Sequence, residues 1–215
     1  MKSQDILLLL RLVSLEIREK EVIRSGDSGD DSWDWQDWED EGDILEPRRS
    51  VEDILSIDYT MRALSDSTGI SKSEVSLSLR RCYQVGLAKL DRVLAVPRTN
   101  TKAIFEFIIY GLKYVFPAVL GKVTRGIATT LGAPVLQGKL MTSGELVPVW
   151  PDVHGKTKGQ ALEPLYKTVT MAVRHDPHLY AMLALTDAVR IGAPREHKIA
   201  ASELKKYFRK VNESL

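Results

Sequence analysis

Two amphipathic stretches meet at Thr68-Gly69-Ile70-Ser71, and this junction constrains the fold more than any other feature of the chain. Glycine adopts at little cost the left-handed backbone that ends a helix and turns the chain. Ser71 follows as an N-cap, with Glu74 at capping-box spacing. Val75, Leu79 and Cys82 then recur at i, i+4 and i+7, so a helix running from Ser71 towards Gly86 has one apolar face. Residues 59–68 read as the helix before the turn, with Leu64 inward and Ile70 filling the angle between the pair. Beyond Gly86, residues 87–90 and 93–96 flank Asp91-Arg92 in the manner of two short strands around a tight turn, with Pro97 ending the second.

From Thr60 to Leu87 this string resembles the helix-turn-helix of the MarR and ArsR groups of bacterial winged-helix regulators. Gly69, Ile70, Val75, Leu79 and the terminal Gly86-Leu87 occupy its turn, plug, packing and handover positions. Ser65 departs from it, since these regulators usually place alanine at that closest helix contact. The likeness covers roughly residues 50–98 and implies a double-stranded DNA partner, a recognition helix in the major groove and a wing beside it. With Val75 inward, a helical wheel turns Ser73, Leu77, Arg80 and Gln84 outward and leaves Ser76 and Arg81 on the flanks.

Residue chemistry assigns roles to that row. Ser73 and Ser76 suit base edges or phosphates, Arg80 suits bidentate contact with guanine, and Leu77 suits a thymine methyl. Lys72 and Arg81 are expected to hold phosphates, with Ser71 beside them at the start of the DNA-binding helix, and Lys89, Arg92 and Arg98 to bring the wing to the backbone or minor groove. The competing reading of the same side chains is an ordinary solvated surface, or a winged helix serving as a protein-binding module.

Charge is unevenly placed. Between Gly26 and Asp43 lie nine acidic residues and no Lys or Arg, so the rest of the chain holds 30 basic against 20 acidic residues. A basic body suits a nucleic-acid binder. The acidic tract contains Trp33, Trp35 and Trp38, and residues 25–49 read as a loop inserted into the amino-terminal domain. One reading makes the tract an imitation of nucleic acid that docks on the basic helix and lowers its affinity. The plainer reading is a solvated loop whose rings pack in part.

Elsewhere the pattern is helical. Residues 3–21 are apolar on nearly every side and form a central helix; Ser50 and Asp53 have capping spacing before a short helix through Ile57. Residues 99–116 form a long helix with stripes Ile104, Ile108, Leu112, Val115 and Phe105, Ile109, Phe116. Residues 118–163, rich in scattered Gly and Pro, read as mostly irregular, and three helices close the chain at 164–174, 177–191 and 195–211. The expected architecture is mainly α with a small β-wing: a winged helix-turn-helix over residues 1–98, and a helical region over residues 99–215 for dimerisation, an effector or a partner. The first helix, residues 99–116 and the closing helices are the expected surfaces of a homodimer.

Other chemistry finds little footing. Gly155-Lys156-Thr157 lacks the glycine a phosphate loop needs, because position 150 is Trp150. His175 and His178 have no accompanying ligand cluster, and Cys82 faces inward as a small core residue rather than a redox sensor. Neither an enzyme nor a cofactor is expected. A lone cysteine suits a cytoplasmic, reducing setting, and no stretch approaches the roughly 20 apolar residues of a membrane span. A regulator, acting as a repressor, is the reading these features favour; the alternative is an antitoxin-like module that clamps a protein partner with its carboxyl half.

Overall fold

The chain is built around its first helix. A computed structural model describes residues 1–25, 35–39, 52, 54–139 and 146–212. In it α1 (Ser3–Ser25) is buried on every side from Gln4 to Leu15. An apolar run without a polar face leaves no other place for it. Burying a charge is costly unless it is paired, and three charged side chains of α1 each meet a partner on a different element. Asp5 receives Arg81, Arg11 is bonded to Asp176, and Glu19 takes Arg98. These pairs fix the rotation of α1 against its neighbours.

The expected helix pair follows as α2 (Met61–Thr68) and α3 (Lys72–Gln84). Thr60 caps α2, accepting from the Ala63 amide at 3.1 Å. Gly69 ends it with φ +66°, and a Cβ there would lie 2.6 Å from the Met171 side chain. The turn therefore needs glycine twice over, for its backbone and for the close approach of a later segment. Of the short helix expected after Ser50, Ile54–Asp58 forms a π turn; its capping residues Ser50 and Asp53 lie outside the described residues.

The hairpin exists, in a different register. Strands β1 (Ala88–Leu90) and β2 (Pro97–Thr99) pair Ala88 with Thr99 and Leu90 with Pro97. Pro97 opens the second strand instead of ending it. A type I′ turn would demand positive φ at both Asp91 and Arg92, and arginine adopts it poorly. The chain instead makes a longer tip, in which Asp91 accepts from the amides of Val93 and Leu94 at 2.8 and 3.1 Å and Ala95 takes the positive φ.

Helix α4 (residues 101–115) starts two residues later than expected because Asn100 caps it, accepting from the Ala103 amide. Its middle, Phe107–Gly111, is a π turn. The extra residue of a π turn advances the helical register. Ile104, Ile108, Ile109 and Leu112 consequently face the core, while Val115 turns outward, against the stripe expected of it.

The largest departure is the region expected to be irregular. Strands β3 (Leu120–Ala128), β4 (Pro148–Pro151) and β5 (Thr157–Leu162) close on one another, β3 antiparallel to both and β4 parallel to β5. Three strands can close only where backbones nearly touch. Cβ atoms on Gly126, Gly155 and Gly159 would fall 2.0 Å from the Trp150 carbonyl oxygen, the Gly126 carbonyl carbon and the Val147 carbonyl oxygen. The same glycines that make the sequence look loop-like permit the sheet. Trp38 extends it by bridging to Gly155.

Of the closing helices, the expected segment 164–174 is helical only over one turn, α5 (Val169–Ala172). Helices α6 (Pro177–Ile191) and α7 (Pro194–Asn212) match expectation closely. Asp176 caps α6, accepting from the Leu179 amide at 2.9 Å while it holds Arg11 and Ser14. Among the described residues α6 is buried along almost its whole length, and no helix is long and apolar enough to cross a membrane. The described residues are thus mostly helical, with one two-stranded hairpin and one small three-stranded sheet among them.

Candidate nucleic-acid interface

α3 has two sharply different faces. Val75, Ser78, Leu79 and Cys82 are buried. Beneath them α1 supplies a polar clamp: Asp5 accepts from the Ser78 hydroxyl at 2.6 Å and from the Arg81 guanidinium at 2.6 and 3.0 Å. Burial works to raise the Asp5 carboxyl, but the bonds from Arg81, the Lys2 amide and Ser78 outweigh it and hold it below the usual value. Ser71 caps α3 by accepting from the Glu74 amide. Glu74 does not complete the capping box; its carboxylate takes the Gln4 amide at 2.6 Å and the Lys2 ammonium at 3.4 Å. Gln4, Asp5 and Glu74 together hold the orientation of α3.

The opposite face is open. Ser71, Lys72, Ser73, Ser76, Leu77, Arg80 and Gln84 are all exposed, with Leu77 41% so. Ser71 and Ser73 hydroxyls stand 3.3 Å apart at the helix start. Arg80 and Lys72 make no hydrogen bond or ion pair with the described residues. The row offers hydroxyls, an amide, a free guanidinium and one apolar side chain on a rigid surface. In the hairpin, Lys89 and Arg92 are exposed beside it.

Two of the arginines expected at this surface belong elsewhere. Arg81 is committed to Asp5 and Ser78, so its charge is neutralised from below rather than offered to phosphate. Arg98 is 7% exposed. Its guanidinium donates to Glu19 at 2.7 and 2.9 Å and to the Tyr59 hydroxyl at 2.6 Å, and it lies over the Tyr59 ring. It points into the core because β2 packs against α1, whose Glu19 lies within reach of the guanidinium. The sequence carried a signal for both arginines: acids buried in an otherwise apolar first helix require cationic partners.

Cys82 is buried, and burial pushes its thiol up to about 12, so it stays protonated. His178 pairs with Glu21 at 2.9 Å, and no group of three or more His, Cys, Asp or Glu among the described residues could hold a metal ion. Thr157 of the Gly155-Lys156-Thr157 string donates to Asp37 at 2.8 Å, a bond that serves the sheet.

The described part of the acidic tract, residues 35–39, docks on the three-stranded sheet and not on α3. The Glu39 amide donates to His154 and the Lys156 amide to Asp37, each at 2.9 Å. Trp35, Trp38 and Trp150 all meet the ring of Tyr180 on α6. Trp38 is fully buried. Trp33 and the acids on either side of this stretch lie outside the described residues. No protein-family model, curated protein or solved structure matches the chain.

Proposed function

We propose that this protein is a sequence-specific double-stranded DNA-binding regulator of the winged helix-turn-helix type, acting as a repressor. In this reading α3 lies in the major groove and the β1–β2 hairpin is the wing. One observation carries it: a helix locked from behind by Gln4 and Asp5 presents an exposed row whose Arg80 makes no hydrogen bond or ion pair with the described residues. A rigid backing fixes the helix in advance, so that only the exposed side chains remain to be ordered when they meet base edges. Ser73, Ser76, Leu77, Arg80 and Gln84 read bases; Ser71, Lys72, Lys89 and Arg92 hold phosphates, which position without specifying.

The test is fluorescence anisotropy on duplexes from the region upstream of the chain's own gene. Wild type binds one duplex tightly, and Arg80→Ala weakens that complex by about 1–3 kcal/mol, or roughly 5- to 150-fold, at unchanged melting temperature. Lys89→Ala or Arg92→Ala weakens all duplexes alike and lowers the salt slope by about 1. Equal affinity of wild type and Arg80→Ala for every duplex refutes the reading. The protein-clamp alternative draws on solvent-facing Tyr110 and Tyr114. A stoichiometric complex with the product of a neighbouring gene, with no duplex bound, supports that alternative.

A further inference from the structure

Helix α7 is basic on the face it turns to solvent. Arg195, Lys198, Ser202, Lys205, Lys206 and Arg209 are exposed, whereas Ala200, Leu204, Phe208 and Val211 are buried. The exposed residues recur in steps of three and four, so at about 3.6 residues per turn they form one row. The acids of α7 among the described residues lie to one flank and are already engaged. Glu196 accepts from the Ala193 amide at 2.9 Å, and Glu203 takes Lys139 at 3.0 Å and Lys206 at 2.8 Å. Arg195, Lys198, Lys205 and Arg209 make no hydrogen bond or ion pair with the described residues. The needs of the helix do not account for this row. A cation suits the last turn, where Arg209 stands, but Arg195 is in the first, where the helix field disfavours it. Arg195 and Lys198, and again Lys205 and Arg209, set like charges one turn apart, at a cost to the helix.

We infer that the outward row of α7 is a second nucleic-acid contact, one that grips the phosphate backbone of a duplex without reading its bases. From Arg195 to Arg209 the row runs about 21 Å, at about 1.5 Å per residue. Over that length one strand of a duplex presents about six phosphates. Four cations without an internal partner face them, and the Ser202 hydroxyl in their midst is a further phosphate donor. Two observations favour this occupant. A protein partner calls for an aromatic or aliphatic anchor in an interface where lysine is depleted, and the row holds no apolar side chain. A helix that lies on a membrane sinks its apolar face among acyl chains, and here Leu204, Phe208 and Val211 are buried within the chain. The contact is independent of α3: it needs no operator and holds whether or not Arg80 reads a base.

The test is fluorescence anisotropy of the full chain on a duplex of arbitrary sequence at a series of salt concentrations. Each phosphate neutralised adds about 0.9 to the fall of log affinity with log salt, so Lys198→Gln/Lys205→Gln/Arg209→Gln lowers the slope by about 2.7. The advantage of wild type over this variant then shrinks about 40-fold between about 50 and 200 mM salt. Its circular-dichroism melt is unchanged, because the three side chains are exposed and bond to nothing described. Lys205→Gln alone lowers the slope by about 0.9, and Lys198→Arg/Lys205→Arg keeps the wild-type slope. Lys113→Gln/Lys122→Gln/Lys158→Gln removes as much exposed charge elsewhere and also keeps it. Three results overturn the proposal: a slope that the α7 substitutions leave unchanged, an equal fall in the variant altered elsewhere, or unchanged duplex binding with lost binding to phosphatidylserine vesicles.

Discussion

Arg98→Met separates the two roles open to that residue. The sequence offers Arg98 as a wing cation, whereas the structure joins it to Glu19 and Tyr59 inside the core. Methionine keeps the apolar stem and removes the guanidinium, so the change isolates the charge. Glu19, itself only 6% exposed, then loses donors at 2.7 and 2.9 Å. Stranding one member of a buried ion pair costs about 3–5 kcal/mol. For a chain of this size that lowers Tm by roughly 6–20 °C. Urea unfolding of Arg98→Met, Glu19→Gln and the double variant forms the cycle that measures the coupling. The double variant recovers much of the loss, because Glu19 no longer carries a stranded charge, while Glu16 at 4.0 Å still loses Arg98. Tyr59→Phe, which removes the bond its hydroxyl accepts from Arg98 and the one it donates to Glu19, costs about 1.5–3 kcal/mol. A loss below about 1 kcal/mol for Arg98→Met refutes the buried-pair account, and undiminished stability with weakened DNA binding returns Arg98 to the wing.

Two further outcomes follow from the packing. Trp38→Ala costs about 3–5 kcal/mol, since the ring is buried against Trp35 and Tyr180; a stable variant that binds DNA more tightly would instead make the tract an antagonist, and equilibrium unfolding beside anisotropy distinguishes the cases. Asp5 binds its proton more weakly folded than unfolded, so its contribution is present above about pH 4 and is lost as pH falls through its depressed value. Asp5→Asn therefore lowers stability at neutral pH and flattens the acid limb of unfolding; an acid limb as steep as wild type counts against the clamp on α3.

Local signals placed the helices well where a capping residue and a periodic face agree. Ser71 and Gly69 bound α3 and α2, and Asp176 and Pro177 start α6 where expected. Each depends on neighbours within a turn, which a sequence displays directly. Signals failed where a residue's meaning depends on a distant partner. Gly126, Gly155 and Gly159 read as loop residues, yet their missing Cβ atoms are what let three strands close. Trp38, in a tract composed like a linker, finds its place only once Tyr180 and Gly155 are beside it.

The exposed row of α3 was legible from periodicity alone, because Val75, Leu79 and Cys82 define the inside and so the outside. What periodicity could not reveal is which cations of that region face solvent. Arg80, Arg81 and Arg98 are identical in chemistry, and only the acids of α1 divide them: Asp5 holds Arg81, Glu19 holds Arg98, and Arg80 is left outward. Helix type and amphipathic direction are local properties, carried by spacing along the chain. The pairing of buried charges across more than 70 residues is decided by packing, since a charge removed from water must meet its counterpart wherever the fold brings one.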